Sequence, residues 1–214
     1  MRTGVLASGS GSNLQSLIDH WQSGTLAPAE LVVVGANVAG CPALERARKA
    51  AIASFALPHQ AFAVREDFDR ALVAELRQHG VELVVLAGFM RVLTPVFLAA
   101  FPQRVINIHP ALLPAFPGTH AQRQALAYGA KVAGCTVHFV DAGTDTGPII
   151  AQAVVPVLPD DSEQTLQTRI LAEEHRLLPA VVRSVASGKV SVRGRHVQVD
   201  APPGLAEARL RSLG

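Results

Sequence analysis

Two side chains of unlike chemistry, Asn107 and His109, share the segment Val105-Ile106-Asn107-Ile108-His109-Pro110. Successive strand side chains alternate between faces, so this pair projects from one face of an otherwise apolar run. Proline ends the run, which puts the pair at a carboxyl edge, where open parallel sheets bind ligands. An imidazole titrating near neutrality can move protons, and a carboxamide can donate to developing oxyanion charge. A hydrogen-bonded structural pair accounts for the two residues equally well, because polar groups buried without partners are costly. A second stretch, Asp141-Ala142-Gly143-Thr144-Asp145-Thr146-Gly147-Pro148, holds two carboxylates in a glycine-punctuated loop. An ordinary turn with aspartate stabilising the backbone is its plainer explanation. Brought near His109, a carboxylate there would favour the protonated imidazole and assist a proton relay.

A third stretch, Ser8-Gly9-Ser10-Gly11-Ser12-Asn13, separates a strand-like run from an amphipathic one. Free N–H groups at a helix N-terminus, at the positive end of the macrodipole, bind phosphate well. Glycines let the backbone approach the anion, and Ser12 and Asn13 can cap or donate. A helix cap with turn glycines is the alternative. Two narrower motifs are excluded: a dinucleotide-binding GxGxxG needs glycine where Leu14 stands and an acid where Asn37 stands, and a Walker A loop needs Gly-Lys-Ser/Thr.

Other polar residues carry less. His20, His59, His79 and His196 read as solvated or capping, while His120 and His138 could line the same cleft as the aspartate loop. No HExxH or facial His/carboxylate spacing calls for a metal. Glu173-Glu174-His175 falls in a long helix, where a solvated face is the default. Neither GxSxG nor a placed cysteine points to covalent acyl transfer.

These residues need a scaffold, and apolar strand-length runs alternating with helical stretches supply one. Strands are expected over 4–7, 31–36, 81–88 and 105–109, and helices over about 13–22, 44–51 and 65–79, with a short helix from Pro95. Val/Leu/Ile-rich strands alternating with helices predict a parallel sheet covered on both faces. Beyond a proline-rich loop come a helix over 122–128, β-runs over 136–140 and 149–157, and a long helix over 163–187. Pro179 inside that helix predicts a kink. A terminal hairpin is expected over 190–199.

Composition sets the limits. With 214 residues, 49% hydrophobic and 17% charged, and mean hydropathy +0.28, the chain has the length and apolar content for one core-forming domain. Its apolar runs are too short to span a bilayer. Nineteen basic and 17 acidic side chains give net +2 without any basic block, so neither nucleic acid nor membrane is expected as a partner. Cys41 and Cys135 lie far apart, outside any CxxC, which fits a reducing cytoplasm. The N-terminus enters a strand-like segment at once, without a charged region, apolar region and cleavage site in series, so a cytoplasmic chain is expected.

From residue 2 to about residue 185 the chain resembles the folate-dependent formyltransferases, and among them their glycinamide ribonucleotide branch. The resemblance rests on Ser8-Gly9-Ser10-Gly11-Ser12-Asn13, Val84-Val85-Leu86-Ala87-Gly88-Phe89-Met90-Arg91-Val92-Leu93, Asn107-Ile108-His109-Pro110-Ala111-Leu112-Leu113-Pro114, Phe116-Pro117-Gly118 and Asp145-Thr146-Gly147-Pro148. It implies a Rossmann-like α/β fold, mostly parallel, in one domain over 1–214. That domain divides into a phosphate-binding half (1–103), a catalytic and folate-binding half (104–187), and a hairpin and tail (188–214).

The implied reaction moves a formyl group from the co-substrate 10-formyltetrahydrofolate to the amine of glycinamide ribonucleotide, in purine biosynthesis, without metal. Asn107, His109 and Asp145 match the catalytic trio. Gly11, Ser12 and Asn13 match the phosphate contacts, and Glu174 a ribonucleotide contact. Arg65, Met90, Arg91, Val92 and Leu93, with Asn107 and the loop from Asp141, match folate contacts. Leu113–Pro114 matches a cis bond of the family, and a monomer or homodimer is implied. Thr146 and Ala115 depart from the pattern, the first where close relatives carry glycine, the second where a basic residue is frequent. The segment after about residue 187 matches poorly and carries no implied function. Related transferases acting on tRNA or sugar nucleotides, the formyl-folate deformylases, and a non-catalytic phosphate-binding module are the competing assignments.

Overall fold

Strands with near-continuous Val, Leu and Ile must be covered on both faces, and the computed structural model, which describes residues 1–200, shows how this is achieved. In chain order the elements are β1 (Arg2–Ala7), α1 (Ser12–Gln22), β2 (Glu30–Ala36), α2 (Pro42–Lys49), β3 (Ala53–Ala56), a 3-10 turn (His59–Ala61), α3 (Arg65–Gln78), β4 (Leu83–Leu86) and α4 (Pro95–Ala100). They continue with β5 (Val105–His109), α5 (Ala121–Tyr128), β6 (Val132–Phe139), β7 (Ile149–Pro156), α6 (Glu163–Ala186), β8 (Val190–Arg193) and β9 (His196–Val199).

Seven strands form one sheet in the order β3-β2-β1-β4-β5-β6-β7. The first five pair in parallel, whereas β6 runs antiparallel to β5 and β7 antiparallel to β6. On one face Leu14, Leu17, Ile170 and Leu178 of α1 and α6 close the core, and on the other Phe68, Leu72 and Phe97 of α3 and α4. From β1 the chain winds outward to β2 and β3, then returns to β4 on the opposite side. The carboxyl ends of β1 and β4 therefore flank a topological switch point, the crevice where such sheets take ligands.

Several elements differ from the sequence expectation. β3 is an edge strand whose residues are mostly exposed, so it carries no apolar run to announce it. β4 is shorter than the 81–88 run, because Ala87 and Gly88 already belong to the turn at the switch point. β6 begins at Val132 rather than 136. Helix α6 continues unbroken through Pro179. A proline there leaves the His175 carbonyl without its helical donor, and the Ser16 hydroxyl of α1 fills that vacancy at 2.6 Å. Leu113–Pro114 is cis, as the resemblance implies, and Ala27–Pro28 is cis as well. The expected tail beyond the hairpin, 201–214, lies outside the described residues.

Candidate active site

β5 lies between β4 and β6, and its last residues emerge at the carboxyl edge of the sheet. His109 is buried there, 5% exposed. Its Nε2 lies 2.9 Å from the Phe116 carbonyl, which can only accept, so this nitrogen carries a hydrogen. In the neutral ring Nδ1 is then bare, and it stands 3.4 Å from Oδ2 of Asp145. The bare nitrogen thus faces a carboxylate.

The orientation of Asn107 is fixed by the same logic. His138 on β6 directs Nδ1 to the Phe139 carbonyl at 2.8 Å, so its Nε2 is the acceptor, and Asn107 Nδ2 donates to it at 3.1 Å. Burial pushes the His138 pKa below its ordinary value, which maintains the neutral ring this role needs. A carboxamide nitrogen has two hydrogens. One is held by His138 and the second remains for the cleft.

Asp145 arrives on the 141–147 loop between β6 and β7. Its backbone is left-handed, φ 55, which costs a non-glycine residue on the order of 1 kcal/mol. A hydrogen bond holds it there: Oδ2 accepts from the Gly118 N–H at 2.8 Å. Asp141 Oδ1 accepts from the Gly143 N–H at 3.1 Å and from the Thr146 hydroxyl at 2.6 Å. Thr146, a departure from the family pattern, therefore ties the loop to itself. Gly147 ends the loop because a Cβ there would stand 1.8 Å from the Phe139 carbonyl.

Across the crevice, the 8–13 turn opens α1. Gly11 is the N-cap with φ 70, and a Cβ on it would come within 2.9 Å of the Ala43 backbone. Conformation and close approach both demand glycine. The first helical bond runs from Gln15 N to the Gly11 carbonyl at 2.8 Å. The N–H groups of Ser12, Asn13 and Leu14 precede it, and no side chain caps this end. Ser8 braces the turn: its hydroxyl donates to Asn37 Oδ1 at 2.5 Å and accepts from the Met90 N–H at 2.8 Å. Arg46 of α2 brings positive charge to the turn, donating to the Ser10 carbonyl at 2.8 Å.

Asn13 also reaches α6, where its Nδ2 donates to Glu174 Oε2 at 2.7 Å. Both residues are buried, so Glu174 is not on a solvated face. Burial pushes its carboxyl up to about 7 against the opposing pull of the Asn13 bond. Asn13 Oδ1 is buried without a hydrogen-bond partner.

One cleft of 690 Å³ joins these groups. Ser12, Asn13, Glu174, Met90, Arg91, Val92, Leu93, Asn107, His109, Asp141 and Asp145 all line it, as do His120 and His138. Arg65 and Gly11 are not on its wall. The Arg65 guanidinium donates instead to the Val92 carbonyl at 2.6 Å and so shapes the 90–93 segment from behind. Sequence reasoning does not single out Glu163, Gln167 and Leu171, which also line the cleft. Their spacing of four and four, then three to Glu174, is the helical signal that marks one face of α6. Among the described residues no group of three or more His, Cys, Asp or Glu could hold a metal, and no helix is long and apolar enough to cross a membrane.

The formyl transferase family model matches residues 1–182. A Mycobacterium tuberculosis phosphoribosylglycinamide formyltransferase is 51% identical over 89% of this chain and 87% of its own length. The Escherichia coli enzyme of the same name is 42% identical over 92% of each. A trifunctional purine biosynthetic protein, adenosine-3, from Drosophila pseudoobscura is 47% identical over 97% of this chain, which spans only 15% of that protein. The crystal structure of glycinamide ribonucleotide transformylase 1 from Symbiobacterium toebii superposes with TM-score 0.91 at 51% identity, covering 93% of both chains.

Proposed function

The chain belongs to the formyl transferase family, and from that membership and the cleft's geometry we propose that it transfers a formyl group from 10-formyltetrahydrofolate to the amine of glycinamide ribonucleotide. The observation that carries this is the arrangement of His109 Nδ1 against Asp145, beside an Asn107 amide hydrogen left free, on the wall of one cleft that also holds an uncapped helix N-terminus.

The phosphate of the ribonucleotide is assigned to the N–H groups of Ser12, Asn13 and Leu14, at the positive end of α1. Glu174 and the unpartnered Asn13 Oδ1 can accept from sugar hydroxyls. For the folate, the cleft offers apolar side chains exposed to solvent, Met90 at 70% and Val92 at 50%. Such side chains call for a flat apolar cover. The 90–93 backbone, held by Arg65 and Ser8, and the loop from Asp141 supply polar edges beside them.

In the reaction the neutral amine forms a bond to the formyl carbon, the bond from that carbon to N10 breaks, and one proton passes from the amine to N10. Negative charge develops on the formyl oxygen, where the free Asn107 hydrogen and His109 protonated at Nδ1 stabilise it. Asp145 balances the imidazolium and, with His109, relays the proton between the two nitrogens. Holding both substrates in one cleft supplies much of the acceleration. Buried free thiols at Cys41 and Cys135 suit a cytoplasmic setting.

The test is the absorbance change of a 10-formyl folate with and without glycinamide ribonucleotide. The proposal expects consumption only when the amine is present. Consumption without it identifies a deformylase and overturns the assignment.

A further inference from the structure

We propose that Arg195, at the tip of the β8–β9 hairpin, is a positioning residue for the loop that carries Asp145. The consequence for turnover rests on the formyl-transfer reading given above. A two-residue turn, Gly194-Arg195, joins the strands, with Arg193 paired to His196. Val190, Val192, Val197 and Val199 pack the hairpin against the main core, and β9 lies against β7. This docking brings the tip to the place where the 141–147 loop runs into β7. There Arg195 Nη2 donates to the Thr146 carbonyl at 3.0 Å.

The bonded peptide unit adjoins Asp145, whose carboxylate must stay 3.4 Å from His109 Nδ1 while its backbone is left-handed at φ 55. Three other hydrogen bonds hold the loop, and none runs to regular structure. The Thr146 hydroxyl and the Gly143 N–H bond Asp141 within it, and Asp145 to Gly118 runs to the connection between β5 and α5. Those two loops could move together without breaking any of the three bonds. Arg195 adds a tie from a separate element docked on the sheet. Its donor is permanently charged, and charge-assisted hydrogen bonds exceed neutral ones in strength. The segment after residue 187, to which the sequence attaches no function, thereby gains one.

Arg195→Ala, Arg195→Lys and the neighbouring Arg193→Ala are compared with the parent protein. Amide exchange at Gly118 and Gly143, whose N–H groups bond Asp145 and Asp141, reads the loop without any substrate. Exchange is expected to rise about tenfold in Arg195→Ala, the factor associated with losing one charged hydrogen bond. Arg193→Ala is expected to match the parent, and Arg195→Lys to recover most of the protection. In the formyl-transfer assay, kcat of Arg195→Ala falls about five- to tenfold with KM for glycinamide ribonucleotide unchanged, because the phosphate turn is untouched. Parental exchange in Arg195→Ala overturns the proposal. So does faster exchange with parental kcat. If the parent transfers no formyl group, the activity reading fails, and the exchange result alone decides whether Arg195 holds the loop.

Discussion

Replacing Glu174 by glutamine removes a charge from a buried site while keeping an oxygen for Asn13 Nδ2. The carboxyl ionises near its ordinary 4.5 in the unfolded chain and at about 7 in the folded one. Between those values the folded state retains a proton that the unfolded state has lost, so stability falls as pH rises. Below about pH 4.5 both states are protonated and the site exacts no penalty. Above about pH 7 both are ionised, and the folded protein bears the full difference, about 3 kcal/mol. Glu174→Gln should therefore be more stable than the parent at pH 8 by about that amount, or about 6–12 °C in Tm for a chain of this length. Its advantage should shrink as pH falls from 7 towards 4.5. Thermal melts of both proteins at intervals between pH 4.5 and 8.5 test this. A stability difference that is flat across the range, or one favouring the parent at pH 8, refutes the reasoning that burial governs this carboxyl. Formyl transfer should worsen in the same variant, with KM for the ribonucleotide raised about tenfold, the effect of one lost charged hydrogen bond.

Four further substitutions separate the parts of the site. His109→Ala or Asp145→Ala should each lower kcat by about 10²–10⁴-fold, while the thermal shift produced by glycinamide ribonucleotide persists. Gly11→Ala places a methyl against the Ala43 backbone at a left-handed position. It should destabilise the fold by about 2–3 kcal/mol and abolish that thermal shift, as denaturant melts with and without the ribonucleotide would show. His138→Ala releases the Asn107 amide, and steady-state kinetics should show kcat reduced about 10–100-fold with KM for the folate unchanged.

Much of this architecture was legible because apolar periodicity and turn chemistry are local. Leu14, Leu17 and Ile18 mark the buried face of α1, and Asn107 and His109 share a face by strand alternation alone. Other features arise only when distant segments meet. Helical spacing puts Glu174 on the stripe of Leu166, Ile170 and Leu178, but the partner that receives its carboxylate, Asn13, lies 161 residues away along the chain. Pro179 alone argues for a kink, and the helix stays unbroken because the freed His175 carbonyl finds Ser16 on another helix. β3 lacks an apolar run because an edge strand needs only backbone partners. Thr146 stands where close relatives carry glycine, and its residue type does not say what the hydroxyl bonds; folding brings it onto Asp141 and closes the loop.

Three unfavourable features of the molecule meet at the same cleft. Asp145 holds a left-handed backbone, Glu174 is a buried carboxyl, and Asn13 Oδ1 is a buried acceptor without a donor. A sequence selected for stability alone would place glycine, glutamine and an apolar residue at these positions. In the proposed reaction each departure becomes favourable once a ligand arrives: a sugar hydroxyl would supply the donor that Asn13 Oδ1 lacks, and a protonated His109 the cation Asp145 faces. Strain clustered at one cleft is what the proposed binding of a substrate there accounts for. Here that strain lies on both sides of the cleft, so the two sides should respond separately. A ribonucleotide should protect Asn13 and Glu174, and a folate the 141–147 loop.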